Sequence, residues 1–355
     1  ANDSDSFVLS LTAEPTANAG ADDTTCETGS YTVSDADADN ALSYNWFSNT
    51  GSGTFTDADT LSPTYTPGSV DLANGYFILT LEVTGNAPCG VVTSEKRVDI
   101  IKNPTVDVGS DQNSCADSVF SISGVNVNNY SILSWTTSGT GTFSNPTVSS
   151  PNYNPTAADI AAGSVILTLT ASANAPCTQS DSDSFVLSFV DEVSVNAGAD
   201  QTICEDQEVS LTGNGQNYSS LEWSTSGDGT FNSDSISDPI YTPGSNDILL
   251  GSVTLTLVAN GNPPCTSVQD DLVVIFEKNP EINIGSDITV CEGNDVVISD
   301  VNATYHNGLL WSTNGSGDLS DETTLTPRYI PDDGETSVVL TLTAYAQSPC
   351  SVDAV

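Results

Sequence analysis

Eight cysteines are the residues of this sequence best suited to do chemistry, because paired thiols form disulfides or bind metal ions. A zinc site is the alternative to disulfides, but the chain has no Cys-x-x-Cys pair and only His306 to add a nitrogen ligand. Two cysteines per repeat in an acidic chain without methionine indicate disulfides and an oxidising compartment. The cysteines form two recurring sets: first Cys26, Cys115, Cys204 and Cys291, and second Cys89, Cys177, Cys265 and Cys350.

Acidic side chains are the second group that could bind a ligand. Asp35, Asp37 and Asp39 alternate with alanine, a spacing that lets several carboxylate oxygens meet one hard cation, so the sequence predicts calcium there. The segment lacks the glycine and distal glutamate of an EF-hand loop, and a solvated acidic loop is the alternative. A recurring Gly-(Ala/Ser)-Asp is expected to cap turns, at Asp22, Asp111, Asp200 and Asp287.

The charge balance excludes several classes of function. The 355 residues include 47 Asp plus Glu against 5 Lys plus Arg, a net charge of −42. Such a chain cannot neutralise phosphates, so nucleic-acid binding is excluded, and no apolar run is long enough for direct membrane insertion. With one histidine, no repeated Ser-His-Asp or Cys-His site can exist, so we expect no enzyme activity.

The elements that position these residues repeat along the chain. The four tryptophans, Trp46, Trp135, Trp223 and Trp311, lie 88 or 89 residues apart, which is one complete domain per repeat. The first eleven residues match residues 178–189, so we interpret them as the closing strand of a preceding module. The fourth module is expected to lack its last strand. The predicted domains are residues 1–11 (that closing strand), 12–101 (module 1), 102–190 (module 2), 191–277 (module 3) and 278–355 (module 4).

Within each module, apolar residues alternate with period two between turn residues, which is typical of short β-strands. The tryptophan lies on the third of about seven strands and is followed by a Gly-x-Gly turn. A Pro-x-Tyr-x-Pro segment is predicted at a sheet edge, because prolines cannot donate to a central ladder. This pattern predicts an all-β fold of four tandem immunoglobulin-like β-sandwich modules that form an elongated rod.

The positions of the two cysteine sets suggest how they pair. The first cysteine precedes the second strand and the second cysteine follows the sixth, so the two lie at opposite ends of one sandwich. Bridged cysteines need Cα atoms within about 7 Å, and an ordinary strand spans about 17 Å or more. We therefore predict disulfides across the joints between modules, with pairing inside one module as the alternative: Cys26 with Cys177, Cys115 with Cys265, Cys204 with Cys350, and Cys89 and Cys291 with partners outside this chain.

Several segments of module 3 resemble a known family. The tandem immunoglobulin-like or PKD-like repeats of giant Bacteroidota surface proteins, among them the SprB-type gliding-motility adhesins exported by the type IX secretion system, are similar to this chain across all four modules. The resemblance implies a PKD-like fold and a cell-surface, adhesive or filament-forming role. It is carried by the motifs Gly-Ala-Asp-Gln-Thr-Ile-Cys (198–204), Trp-Ser-Thr-Ser-Gly-Asp-Gly-Thr-Phe (223–231), Asp-Pro-Ile-Tyr-Thr-Pro (238–243), Gly-Ser-Val-Thr-Leu-Thr-Leu (251–257) and Asn-Pro-Pro-Cys (262–265).

Together these features predict a non-catalytic structural segment of a large extracellular adhesin or surface filament, acting in gliding motility or surface attachment. A passive stalk of a secreted enzyme or carbohydrate-binding protein is the alternative. The expected partners are neighbouring modules of the same long chain, further copies of it, or a surface polysaccharide. Calcium is the one cofactor that the sequence suggests.

Overall fold

The computed structural model describes residues 2–291 and 293–355, so Ala1 and Glu292 lie outside the described residues. The chain divides into two compact units, Ala1–Phe189 and Val190–Val355. Strands dominate both units, and the prediction of an all-β fold of tandem immunoglobulin-like sandwiches is confirmed. The module boundaries stay predictions, and modules 1 to 4 denote the predicted stretches of chain.

The unit Ala1–Phe189 holds modules 1 and 2. Module 1 contains β1 (Asp23–Cys26), β2 (Tyr31–Thr32), β3 (Ala41–Phe47), β4 (Thr54–Thr56), β5 (Thr64–Thr66), α1 (Ser69–Asn74), β6 (Tyr76–Gly85) and β7 (Val91–Ile101). Module 2 contains β8 (Thr105–Asp107), β9 (Gln112–Cys115), β10 (Phe120–Ser121), β11 (Asn126–Asn128), β12 (Tyr130–Thr137), β13 (Thr142–Phe143), β14 (Asn152–Asn154), α2 (Ala157–Ala162), β15 (Ser164–Ala173) and β16 (Asp181–Val190).

The unit Val190–Val355 holds modules 3 and 4. Module 3 contains β17 (Ser194–Asn196), β18 (Gln201–Cys204), β19 (Val209–Ser210), β20 (Asn214–Gln216), β21 (Tyr218–Thr225), β22 (Thr230–Phe231), β23 (Ile240–Thr242), α3 (Ser245–Leu250), β24 (Ser252–Gly261) and β25 (Val268–Glu277). Module 4 contains β26 (Glu281–Asn283), β27 (Val296–Val297), β28 (Asn302–Thr304), β29 (His306–Thr313), β30 (Asp318–Ser320), β31 (Arg328–Ile330) and β32 (Leu340–Ala346).

One four-stranded sheet recurs in modules 1 to 3. Its strand orders are β1-β7-β6-β3, β12-β15-β16-β9 and β18-β25-β24-β21. The last strand of the module thus lies between a long antiparallel neighbour and the short strand that ends in the first cysteine, which runs parallel to it in modules 1 and 3. In module 4 the corresponding sheet has two strands, β29 and β32.

The apolar cores explain why these strands form. In each module the tryptophan strand and the long strand beside it turn alternate residues inward, as at Trp223 and its register partner Leu257. A separate buried cluster surrounds each of the four tryptophans. Every indole N–H donates to a backbone carbonyl, as Trp223 Nε1 does to Ile236 O at 3.1 Å. The tryptophans are therefore core residues.

The Pro-x-Tyr-x-Pro segments correct one expectation. They do not lie at a sheet edge: β5, β14, β23 and β31 are the middle strands of three-stranded sheets. Each of these strands is three residues long, and its prolines flank it, as Pro63 and Pro67 flank β5. The ladder therefore needs no N–H from either proline, and the central tyrosine is buried.

The first residues of the chain form no strand between residues 2 and 11. Phe7, Val8, Leu9 and Leu11 are all exposed there. Their interpretation as the closing strand of a preceding module stays a prediction.

Candidate functional site

The joints are the disulfides that link consecutive modules, and the first cysteine of each joint ends a short strand. Cys26 ends β1, where the parallel register sets it opposite Ile101 at the end of β7. It is bonded to Cys177, which follows β15 in the next module, with the two Cα atoms 4.9 Å apart. Cys204 and Cys350 form the matching bond between modules 3 and 4, with Cα atoms 4.8 Å apart. Cys204 is therefore not paired with Cys265, as the alternative inside one module requires.

Backbone groups surround each joint in the same way. The sulfur of Cys177 lies 3.2 Å from the carbonyl oxygen of Ile101, and the sulfur of Cys350 lies 3.4 Å from that of Glu277. The second cysteine of each pair thus sits against the chain that leaves the preceding module. This seating positions it for the first cysteine, which ends the neighbouring parallel strand.

A glutamate next to the first cysteine strengthens each joint. Glu27 Oε1 accepts a hydrogen bond from Asn103 N at 2.8 Å, and Glu205 Oε1 accepts one from Asn279 N at 3.0 Å. The connecting segment is thereby bonded to the module before it. Because each joint combines a disulfide with these hydrogen bonds, it holds consecutive modules in a defined geometry.

The remaining cysteines fall into two groups. Cys115 and Cys265 are each disulfide-bonded, and their pairing with one another stays a prediction. Cys89 is partly buried and Cys291 is exposed, and both are free thiols within this chain. Their pairing with cysteines outside this chain stays a prediction.

The acidic segment predicted to bind calcium has another arrangement. Asp35 Oδ1 forms an ion pair with Lys96, whose side chain is only 1% exposed. Asp35 Oδ2 accepts a hydrogen bond from Ala21 N at 2.9 Å. Among residues 2–291 and 293–355, no group of three or more His, Cys, Asp or Glu side chains could hold a metal ion. The structure therefore does not bring Asp35, Asp37 and Asp39 together as a ligand set.

Electrostatics around Asp35 agree with the ion pair. The hydrogen bond from Lys96 lowers the pKa of Asp35 below its ordinary value. Burial disfavours the charged form of Lys96, but its bonds with Asp35 and Tyr31 outweigh this and raise its pKa. Both groups are charged at neutral pH.

The recurring Gly-(Ala/Ser)-Asp also differs from expectation. Asp22, Asp111 and Asp200 do not cap a local turn but accept hydrogen bonds from the last strand of their own module. The donors are Arg97 N at 2.9 Å, Val186 N at 2.8 Å and Val273 N at 2.8 Å, respectively. These carboxylates therefore fasten the closing strand, and Asp287 holds the equivalent sequence position in module 4.

A hydrogen bond between a tyrosine and a carboxylate recurs in all four modules and was not predicted from the sequence; it is called the tyrosine brace. The buried tyrosine hydroxyl of each module donates to a carboxylate six residues later, over 2.9, 3.0, 2.6 and 2.8 Å in chain order. The constant spacing of six residues was the available signal. The pairs are Tyr65 with Asp71, Tyr153 with Asp159, Tyr241 with Asp247, and Tyr329 with Glu335.

The brace explains the Gly-x-Gly after each tryptophan strand. Gly229 N donates to Asp247 at 3.2 Å, and a Cβ on Gly227 would lie 1.6 Å from an oxygen of the same carboxylate. The carboxylate also accepts from the N-cap residue of the short helix, as Asp247 does from Gly244 N at 2.9 Å. Turn, tyrosine and helix are thus bonded to one acidic side chain.

The pKa values of the brace residues agree with these hydrogen bonds. Burial, with the hydrogen bond to Asp247, raises the pKa of Tyr241 to about 12. Burial works against the charged form of Asp159, but the N–H groups of Thr140 and Thr156 and the Tyr153 hydroxyl hold its pKa at about 2. The tyrosine hydroxyl therefore stays protonated and the carboxylate stays ionised throughout the neutral range.

The chain is similar to several solved structures at low sequence identity. No protein-family model matches the chain, and no curated protein matches it. The chain is similar to extracellular cadherin domains 1–4 of protocadherin gamma B7, at 14% identity over 94% of this chain and 98% of that one, with a TM-score of 0.36. Mouse cadherin-23 EC22–24 gives 17% identity, coverages of 75% and 99%, and a TM-score of 0.36. Human CDH23 EC21–23 has 14% identity to this chain over 74% of this chain and 100% of that one, with a TM-score of 0.39. Nothing about function follows from likenesses at this level.

None of the described helices has the length and apolar character needed to cross a bilayer.

Proposed function

We propose that this chain is a non-catalytic structural segment of a large extracellular adhesin or surface filament. The observation that carries the proposal is the covalent joint, in which Cys26–Cys177 and Cys204–Cys350 each link one module to the next. A disulfide in this position links two modules and does not cross-link one module internally. It instead lets tension pass from module to module without unravelling the chain between them.

Charge and redox chemistry support the same role. Disulfides persist in oxidising environments, which favours an extracellular location. The net charge of −42 is spread over four similar modules, so it is a repeated surface property that keeps a long chain soluble. Attachment to a surface polysaccharide, gliding motility and export by the type IX secretion system rest on the sequence resemblance.

Stretching single molecules tests the mechanical part of the proposal. The two disulfides enclose sequence separations of 151 and 146 residues, which at about 3.5 Å per residue withhold roughly 1,000 Å of extension. We expect the oxidised chain, pulled from its ends, to lengthen by that much less than the reduced chain. Cys89→Ser is the matched control and should behave as the oxidised chain, whereas equal lengthening of the oxidised and reduced chains would contradict the proposal.

Bead attachment separates an adhesin from a passive stalk. Beads coated with the oxidised chain should adhere to polysaccharide-coated glass more than beads coated with the same chain after reduction and alkylation. Equal, background attachment of both would favour the stalk. Antibody labelling of intact, unpermeabilised source cells tests surface exposure independently of adhesion.

A further inference from the structure

Module 1 holds a buried lysine where modules 2 and 3 hold an apolar core residue. Lys96 pairs in register with Leu79 of β6. The leucines at the equivalent positions of β15 and β24 pair with Phe185 and Leu272. Of the five lysine and arginine side chains, all of which lie in the described part of the chain, Lys96 alone is buried. Burying a cation costs free energy that burying leucine or phenylalanine does not, so the site must offer this lysine a compensating partner.

The partner of Lys96 is changed at the matching position. Val33 N and Leu211 N each donate to the carbonyl oxygen of the first proline in their own Pro-x-Tyr-x-Pro segment, so the two residues are equivalent. Two residues further on, module 1 has Asp35 where module 3 has Gly213, and the same comparison gives Gly124 in module 2. The lysine and its carboxylate are thus present together in module 1 and replaced together in modules 2 and 3.

The carboxylate of Asp35 is held in place beside the lysine. Its Oδ1 pairs with Lys96 Nζ, and its Oδ2 accepts from Ala21 N at 2.9 Å. Gly20, at a φ of +88°, packs so closely on it that a Cβ there would lie 2.2 Å from Asp35 Oδ1. These contacts hold the amine nitrogen next to the carboxyl carbon Cγ.

A tyrosine connects the lysine to a second carboxylate. The Tyr31 hydroxyl is bonded to Lys96 and donates to Asp23 Oδ2 at 3.0 Å. Lys96 Nζ lies 5.3 Å from the centroid of the Tyr31 ring, and Tyr31 is only 6% exposed, so the ring screens the amine from water. A proton that leaves Lys96 therefore has a route to Asp23 through one hydroxyl.

We propose that Lys96 and Asp35 condense to an intramolecular amide, which cross-links β7 to the segment that follows β2. The bond forms between Lys96 Nζ and Asp35 Cγ, the bond between Cγ and Oδ1 breaks, and one water molecule is released. Holding two reacting groups in contact gives effective molarities that reach about 10⁵–10⁸ M, which favours a condensation that separate molecules in water do not complete.

The protons and atoms of this condensation balance within the site. One ammonium proton passes to Asp35 Oδ1 inside the ion pair, and the neutral amine then attacks Cγ. The negative charge that develops on Oδ2 lies against the Ala21 N–H, which stabilises it. A second proton leaves the nitrogen through Tyr31 to Asp23, and its return protonates Oδ1, which departs as water. The ion pair supplies every atom of the amide and the water, so no co-reactant is needed.

The intact mass of the full chain, measured after reduction and denaturation, tests the bond. We expect a mass below that of the sequence by one water molecule. Lys96→Arg keeps the positive charge but removes the amine nucleophile, so it should show the full mass. The matched control is Lys102→Arg, which alters an exposed lysine and should keep the deficit. A full mass in the unaltered chain, or a deficit that persists in Lys96→Arg, would overturn the proposal.

Peptide mapping locates the cross-link. The unaltered chain should yield one peptide containing Lys96 joined to another containing Asp35, and a dehydrated residue within a single peptide would count against the amide. The double variant Asp35→Gly/Lys96→Leu carries the residues of module 3 at both positions, so it should fold even if Lys96→Arg does not. It should show the full mass and no joined peptides.

The rate of water loss tests the proton route. Samples taken at intervals after cell-free synthesis is stopped should show the full mass converting to the dehydrated mass. Tyr31→Phe keeps the ring but removes the hydroxyl, so conversion should slow roughly a hundredfold. Tyr44→Phe, at another partly buried tyrosine of module 1, is the control and should convert as the unaltered chain does. Equal rates in both variants would overturn the route through Tyr31. Failure of any of these tests leaves the disulfide joints unchanged and so does not bear on the proposed function.

Discussion

Modules 3 and 4 share one design and differ in a single strand. In module 3, β25 lies between β24 and β18 and contributes Leu272, Val274 and Phe276 to the core. In module 4 no strand fills this place among the described residues, and the buried cluster shrinks to Ile298, Leu309, Trp311, Leu342 and Ala344. The tryptophan strand, the small sheet and the tyrosine brace form in both modules. The closing strand is therefore required for a full core but not for the other sheet.

The brace itself differs between the two modules. In module 3, Asp247 is the third residue of α3 and accepts from the helix N-cap. In module 4, Glu335 accepts from Asp332 N at 3.1 Å and from the Tyr329 hydroxyl although residues 331–337 form no helix. One more methylene lets the carboxylate reach the same donors from a turn. The bonds around the tyrosine, and not the helix, are thus the common element.

Truncating the tryptophans gives the largest expected contrast. Trp223→Ala should lower the free energy of unfolding of module 3 by about 3–5 kcal/mol, because a large side chain in a filled core leaves a cavity. Trp311→Ala should cost less, since Trp311 already borders an open groove. Native-state hydrogen exchange of β24 and β32 amides measures each module separately. Equal losses in both modules would show that the closing strand does not complete the core.

Removing the carboxylate of the brace gives a smaller effect. Asp247→Ala leaves the buried Tyr241 hydroxyl and the N–H groups of Gly244 and Asp228 without their acceptor, so we expect a loss of about 2–3 kcal/mol in module 3. Asp247→Asn, which keeps one acceptor oxygen, should lose less. Glu335→Ala should destabilise module 4 less than Asp247→Ala destabilises module 3. A larger loss in module 4, by the same exchange measurement, would reverse the comparison.

The smallest effect is a pH dependence in module 4. The hydrogen bond from Tyr329, with the N–H of Ser316, lowers the pKa of Glu335 from its ordinary 4.5 to about 2. Because the folded-state pKa is the lower one, the stability it contributes is present above about pH 4.5 and is lost as the pH falls toward 2. Tyr329→Phe should raise the pKa of Glu335 in a carboxyl NMR titration. An unchanged titration would mean that Tyr329 does not hold the charge.

Much of the fold could be predicted because strand alternation and turn residues are local signals. The tryptophan strand and the long strand beside it follow from period-two patterns, since one face of each is buried. The short helices escaped prediction because six residues are too few to show helical periodicity. The edge placement of Pro-x-Tyr-x-Pro was wrong because the prolines flank a three-residue strand instead of lying in its ladder.

The candidate sites divide in the same way. The topology of a sandwich fixes the direction of each strand, so the pairings Cys26–Cys177 and Cys204–Cys350 could be predicted from the sequence. Calcium binding at Asp35, Asp37 and Asp39 stays a prediction, and the sequence could not show that Lys96 pairs with Asp35 from 61 residues away. The tyrosine brace was visible as a spacing of six residues, but its meaning depends on a Gly-x-Gly turn brought close by folding.

By itself, the sequence determined the repeat period, the strand alternation, the charge of −42 and the two cysteine sets, because composition and local periodicity need no knowledge of distant contacts. Only the tertiary structure decided which partner each acidic side chain has, and that Asp22, Asp111 and Asp200 fasten the closing strands. Those outcomes depend on which strands become neighbours, and sheet order joins residues that are far apart along the chain.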